Sequence, residues 1–169
     1  GNISVPMVVR LPGGGGVSAA AQHSQSLEAW LTHVPGLKVV YPSTPQDALG
    51  LMLSAIDDED PVMFVEHKAM YGMKGEVDDV IVPIKLGVGD IKRAGTDITV
   101  VATGKMVHEA LKAAAKLEQE GISVEVIDPR TLYPLDKQMI FNSIEKTTRV
   151  VIATEEVKRG SFAGELAAM

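Results

Sequence analysis

The feature that most constrains this chain is an alternation of strand-like and helix-like runs that repeats from Asp97 onward. Ile98-Thr99-Val100-Val101-Ala102 is β-rich and leads through Thr103-Gly104 into a segment whose Val107, Ala110, Leu111, Ala114 and Leu117 recur at helical spacing. Gly121 ends that helix, and residues 122–127 read as a second strand. Asp136 then caps a helix carrying Ile140, Phe141 and Ile144, and residues 149–154 are strand-like again. Strands separated by helices of this length pair in parallel through right-handed crossovers, so residues 98–102, 122–127 and 149–153 are expected to be neighbours in one parallel sheet.

The earlier half carries the same vocabulary less regularly. Residues 5–11 are a short β-rich run closed by Pro12 and the four glycines 13–16. From Ser24 or Ser26, either an N-cap, the residues suit a short helix through Leu31, which Pro35-Gly36 stops. Residues 37–41 form the next strand. Thr44 then caps a helix with Pro45 in its first turn and Asp47 at the acidic position of a capping box, running to about Ile56. Residues 57–60 are an acidic turn and residues 61–66 a third strand. Between Lys68 and Asp97 glycines and acids break the pattern, which places an interdomain connection there. The chain opens at Gly1 on a strand-like run with no obvious preceding partner and stops at Met169 in what reads as the first turn of a helix, so both ends are expected to be cut.

Composition removes several function classes. A formal charge of -6 with no Lys/Arg cluster excludes a nucleic-acid surface, which needs cations to displace counterions from phosphates. The chain has no cysteine, hence no disulfide framework and no thiolate metal site. No stretch approaches the roughly 20 apolar residues of a membrane helix. No secretory signal is visible, and the expected location is cytoplasmic, with no membrane partner.

Few residues invite chemistry. The Ala102-Thr103-Gly104-Lys105 turn lacks the glycines that let backbone approach a pyrophosphate, and the loop at residues 13–16 lacks the Gly-Lys-Ser/Thr ending of a phosphate loop. His23, in Gln22-His23-Ser24-Gln25, follows that loop at what reads as a helix mouth, where the positive helix end disfavours imidazolium. A neutral imidazole there polarises a carbonyl or exchanges a proton; the alternative is a histidine that only caps the helix. His33, His67 and His108 read as structural or solvated, and no pair has zinc-ligand spacing. The acidic turn Asp57-Asp58-Glu59-Asp60 offers oxygens to a hard cation, or is simply a wet turn.

Several long segments carry a resemblance. Val5-Pro6-Met7-Val8-Val9-Arg10-Leu11-Pro12 with glycines 13–16, Gln22-His23-Ser24-Gln25-Ser26-Leu27-Glu28-Ala29-Trp30, and Pro35-Gly36-Leu37-Lys38-Val39-Val40-Tyr41-Pro42 come first. Asp60-Pro61-Val62, Glu66-His67-Lys68, and Ile127-Asp128-Pro129-Arg130-Thr131 with Pro134-Leu135-Asp136 follow in register. The sequence resembles the beta subunit of the thiamin-diphosphate-dependent first component of 2-oxoacid and acetoin dehydrogenases, over essentially the whole chain.

The resemblance implies an α/β chain in two parts. Residues 1–83 would be the later part of a pyrimidine-binding domain, 84–96 a linker, and 97–169 a truncated, doubly wound transketolase C-terminal-like domain. It implies an alpha subunit in an alpha-two beta-two heterotetramer, with thiamin diphosphate between subunits and magnesium held mainly by alpha. It further implies a lipoyl-bearing acyltransferase that receives the acyl group. His23 matches the active-site histidine. The glutamate that activates the aminopyrimidine lies upstream of the segments matched, and neither Glu28 nor Glu66 stands in for it. The family's structural potassium maps onto the backbone carbonyls of Met7, Ala55, Asp58 and Asp60. The implied substrate is acetoin or pyruvate, with acetoin ahead on residues 64–71 and 74–77 and branched-chain 2-oxoacids third. Two rival expectations are a non-catalytic docking module and a stand-alone α/β binding domain.

Overall fold

The computed structural model describes residues 3–169, which form two four-stranded sheets. The first sheet runs β1 (Val8–Gly13), β3 (Val62–His67), β2 (Lys38–Val40), β7 (Thr131–Tyr133). Its first three strands are parallel and β7 lies antiparallel on β2. The second sheet runs β4 (Asp90–Arg93), β6 (Val124–Asp128), β5 (Ile98–Ala102), β8 (Val150–Ala153). The helices are α1 (Glu28–Thr32), α2 (Pro45–Ile56), α3 (Lys105–Glu118), α4 (Lys137–Thr147) and α5 (Phe162–Ala168).

The expected parallel trio is present: Ile98 pairs with Val124 and Val101 with Ile127, while Thr99 pairs with Val150 and Ala102 with Ala153. Two helices, α2 and α4, start where the sequence caps them. Thr44 Oγ1 accepts the Asp47 N–H at 3.1 Å with Pro45 at the first turn, and Asp136 accepts the Met139 N–H at 3.1 Å. At the start of α3 there is no side-chain cap; Gly104 is needed for its φ of 52° and because a Cβ there would stand 2.4 Å from the Tyr41 ring. The face of α3 formed by Val107, Ala110 and Ala114 packs on Ala102, Val124 and Val126, each fully buried Val contributing about 1.5–3 kcal/mol.

Three features differ from the pattern reading. The stretch expected to be only a connection contains β4, which pairs antiparallel with β6. Asp-Ile-Lys-Arg has no apolar alternation, so its strand state comes from the ladder to a buried neighbour rather than from local pattern. The second departure is β7, three residues from the second half of the chain that complete the first sheet. Third, α1 begins at Glu28 rather than at Ser24 or Ser26, because both serine hydroxyls are engaged inside the preceding loop.

Two devices join the sheets. A shared core sets Val39, Tyr41 and Val65 of the first half against Val101, Ile127 and Ile140 of the second. Beside it lies an ionic network. The buried Asp47 carboxylate accepts from Lys92 Nζ at 2.5 Å, from Arg130 Nη1 at 3.0 Å and from Thr44 Oγ1 at 2.6 Å. Burial opposes the Asp47 charge, but Lys92, Thr44 and Arg130 outweigh it and hold the carboxyl below its ordinary value. Asp128, fully buried, accepts from Ser43 Oγ at 2.5 Å and from the Arg130 N–H at 2.9 Å. Burial pushes Asp128 up to about 6, against the pull of Ser43 and Lys92.

Candidate active-site cleft around His23

The segment between β1 and α1 has no regular structure, and its shape comes from glycine and from short polar ties. Gly14 and Gly16 take φ of 107° and 70°, and Ser18 and Ala20 are also left-handed, so the backbone doubles back on itself. The Gly14 N–H donates to the Gln25 carbonyl at 3.0 Å, the Gly15 N–H to Ser26 Oγ at 3.1 Å, and the Ala19 N–H to Ser24 Oγ at 2.8 Å. Lys68 Nζ donates to the His23 carbonyl. The Gly-rich run is therefore a folded loop with its own ties.

The loop walls a cleft of about 260 Å³ against the C-terminal half of β1, the end of β3 and α1. Leu11, Val65 and Leu31 form its apolar side, while His23, Gln25 and Glu28 present polar groups to it. His23 is exposed. It lies five residues before α1 starts, so the helix mouth expected beside it is not there. What remains is an accessible imidazole on a fixed backbone.

Glu28 is the buried member of the wall. Burial pushes its carboxyl up to about 7, its own backbone N–H pulling the other way, and Glu156 and Glu155 add to the rise by repulsion. The cleft thus holds an exposed imidazole and a carboxyl that changes charge near neutral pH. Its donor set suits an uncharged or weakly polar part of a ligand. The one lysine lining it is spent on the His23 carbonyl, and among the described residues no group of three His, Asp or Glu side chains is placed to hold a metal ion.

The other expected site residues lie on the far end of the first sheet. The Met7 carbonyl accepts the Val62 N–H at 2.9 Å, and the Val5 N–H donates to the Glu59 carbonyl at 2.9 Å, so residues 5–7 run against the acidic turn. Lys38 Nζ sits in that turn, 2.7 Å from Asp58 and 3.1 Å from Asp60. Of the remaining histidines, His108 Nε2 lies 2.7 Å from the Ser43 carbonyl, and His67 is fully buried against Glu155 at 2.6 Å.

Glu28, His67 and Glu155 carry more of this region than their sequence context indicated. A signal existed for two of them. His67 is the last residue of β3 and Glu155 lies two residues past the end of β8, and the carboxyl ends of parallel strands are where α/β sheets place functional groups. Nothing in the local sequence marks Glu28 as buried.

Residues 1–74 match the model of the transketolase pyrimidine binding domain and residues 87–169 that of the transketolase C-terminal domain. The two matches together take in most of the chain, which belongs to the transketolase-like family. It is 53% identical over 169 residues to the acetoin:2,6-dichlorophenolindophenol oxidoreductase subunit beta of Bacillus subtilis, covering 100% of this chain and 49% of that protein. Against the 2-oxoisovalerate dehydrogenase subunit beta of the same organism it is 54% identical, covering 98% and 51%. A solved split-gene transketolase, described as an inactive beta4 tetramer, superposes with a TM-score of 0.79 at 27% identity, over 95% of this chain and 51% of that one. The chain spans about half the length of the curated relatives it matches.

Proposed function

We propose that this chain is part of the beta subunit of a thiamin-diphosphate-dependent dehydrogenase that cleaves the bond next to a carbonyl and passes the acyl group to lipoamide. The substrate would be acetoin or pyruvate; a branched-chain 2-oxoacid is the alternative, favoured by the similar identity to the 2-oxoisovalerate dehydrogenase relative. The single observation that carries the reading is the accessible His23 on a tied, glycine-shaped loop beside an apolar cleft, inside the segment that matches the family. Thiamin diphosphate, when bound, would supply the electron sink for breaking the carbon–carbon bond.

The cleft's donor set fits the end of such a cofactor that bears no phosphate, and the diphosphate and magnesium are assigned to an alpha subunit. His23 would hold the substrate or acyl oxygen and move a proton at Nε2 or Nδ1, Lys68 fixing its backbone. The alpha contact is proposed on the surfaces near residues 5–31, where Val5, Met7 and Trp30 expose apolar side chains. A lipoyl-bearing acyltransferase is the acceptor. A potassium ion at the carbonyls of Met7, Ala55, Asp58 and Asp60 belongs to the same reading, supported by the approach of residues 5–7 to the acidic turn. Residues 1–83 and 97–169 are proposed as the two domain portions, joined through 84–96. The location is proposed as cytoplasmic; no helix among the described residues is long and apolar enough to cross a membrane.

The test is His23→Ala in a subunit of the relatives' full length, assembled with alpha. Stability should change by less than about 0.5 kcal/mol, since an exposed loop side chain is lost. Cofactor binding should persist while transfer to lipoamide slows by about 10²–10⁴-fold. An unchanged transfer rate removes His23 from the mechanism. Assembly without bound cofactor would favour the docking-module reading.

A further inference from the structure

We infer that Glu155, just past the end of β8, and His67, at the end of β3, form a positioning pair that sets the place of the His23 loop; this rests on the role proposed for His23. The two residues close the ends of β8 and β3, and their side chains meet with His67 Nε2 2.6 Å from Glu155 Oε2. The ring is fully buried and the carboxylate partly so.

The hydrogen bonds fix the tautomer. His67 Nδ1 accepts the Ala69 N–H at 3.2 Å, so the ring proton sits on Nε2 and is donated to Glu155. Both ring nitrogens are therefore engaged. His67 has no lone pair left for proton transfer to a substrate, and its part is geometric.

The loop rests on this pair. A Cβ at Gly14 would lie 2.5 Å from His67 Cδ2 and Nε2, so the imidazole lies flush against the Gly14 backbone. At Gly15 a Cβ would be 3.6 Å from Glu155 Cβ, and at Gly16 3.7 Å from Glu155 Oε1 and Lys105 Nζ. Lys105 Nζ, 3.4 Å from Glu155 Oε1, provides the opposite charge that the neutral histidine does not. The same chain segment holds the far side of the loop, because Lys68, next to His67, donates to the His23 carbonyl. One end of the loop lies on the pair and the other is tethered one residue away from it. Displacing His67 moves both supports together.

A role through His23 differs from a merely structural one in a kinetic cycle. In the assembled full-length enzyme, acyl transfer to lipoamide is measured for His67→Ala and Glu155→Gln, each alone and combined with His23→Ala. Each single change should slow transfer by about 10–100-fold, with substrate KM and cofactor stoichiometry unchanged, as for a misplaced catalytic group. On top of His23→Ala, either change should cost less than about 2-fold, because a residue acting through His23 has nothing left to position. The same fold loss in both backgrounds, or no loss in either, overturns the proposal. Glu155→Gln keeps side-chain volume and carries the cycle alone if His67→Ala does not fold. An unaltered rate for His23→Ala by itself is a separate result: it overturns the reading of His23, and the pair's role with it.

Discussion

Replacing Asp128 by Asn should change how stability depends on pH, and by an amount the structure sets. The folded carboxyl is pushed up to about 6 by burial, from an ordinary value of 3.8. Between these values the folded chain holds a proton that the unfolded chain has released, so the folded state binds more protons. Stability from this group is therefore greatest below about pH 4, falls as pH rises through the window to about 6, and is flat above it. A difference of about 2 pK units corresponds to about 3 kcal/mol. Asn does not titrate. Its loss of an ideal acceptor for Ser43 Oγ and the Arg130 N–H is a constant offset at every pH. The Asp47 contribution runs the other way and is lost only as pH falls through its depressed value, below the window measured. Urea unfolding at fixed ionic strength from pH 4 to pH 7 should then show the parent losing about 3 kcal/mol relative to Asp128→Asn. Curves parallel to within about 0.5 kcal/mol would refute the argument, placing the Asp128 titration outside that window.

Asp47→Ala should be the more damaging change in the same network. It takes the carboxylate from Arg130 Nη1 and one of two close carboxylates from Lys92, which keeps Asp90 at 2.7 Å, and a stability loss of about 1.5–3 kcal/mol is expected from urea midpoints. A loss below about 1 kcal/mol would mean the two cations find water or other partners. For the proposed potassium site, raising potassium at constant ionic strength should raise the unfolding midpoint saturably, by about 2.7 kcal/mol at a hundred times the dissociation constant. If a bulky quaternary ammonium ion of equal concentration stabilises as much, the carbonyls of Met7, Ala55, Asp58 and Asp60 hold no specific ion.

What the sequence made legible was whatever local pattern alone determines. The trio β5, β6 and β8 follows from helical spacing in α3 and from continuous apolar runs. Asp136 and Thr44 mark their helix starts because a capping oxygen acts within three residues. β4 and β7 were not legible. Each is four residues or fewer, and each becomes a strand only by pairing with a neighbour distant in sequence. The start of α1 was misplaced for the opposite reason: Ser24 and Ser26 are good caps whose hydroxyls a local turn claims first. At the site, the motif containing His23 could be read, while the burial of Glu28 and the meeting of His67 with Glu155 depend on how two sheets pack.

That packing bears on whether the second half of the chain can act as a separate docking module. For the second sheet to move as a free body, β7 would have to leave β2, giving up the pairs Val39 with Tyr133 and Val40 with Thr131, and the Tyr41 N–H would lose the Arg130 carbonyl at 2.9 Å. The same motion would pull Lys92 and Arg130 from Asp47 and Glu155 from the His67 N–H, and would open the core that sets Val39, Tyr41 and Val65 against Val101, Ile127 and Ile140. Exposing that apolar core costs about 1.5–3 kcal/mol for each fully buried Val or Ile, and several are uncovered in one displacement, against a whole-domain stability of about 5–15 kcal/mol. The two halves therefore hold together as one structural unit, and a change at the end of β8 reaches the loop of His23 through side chains already in contact.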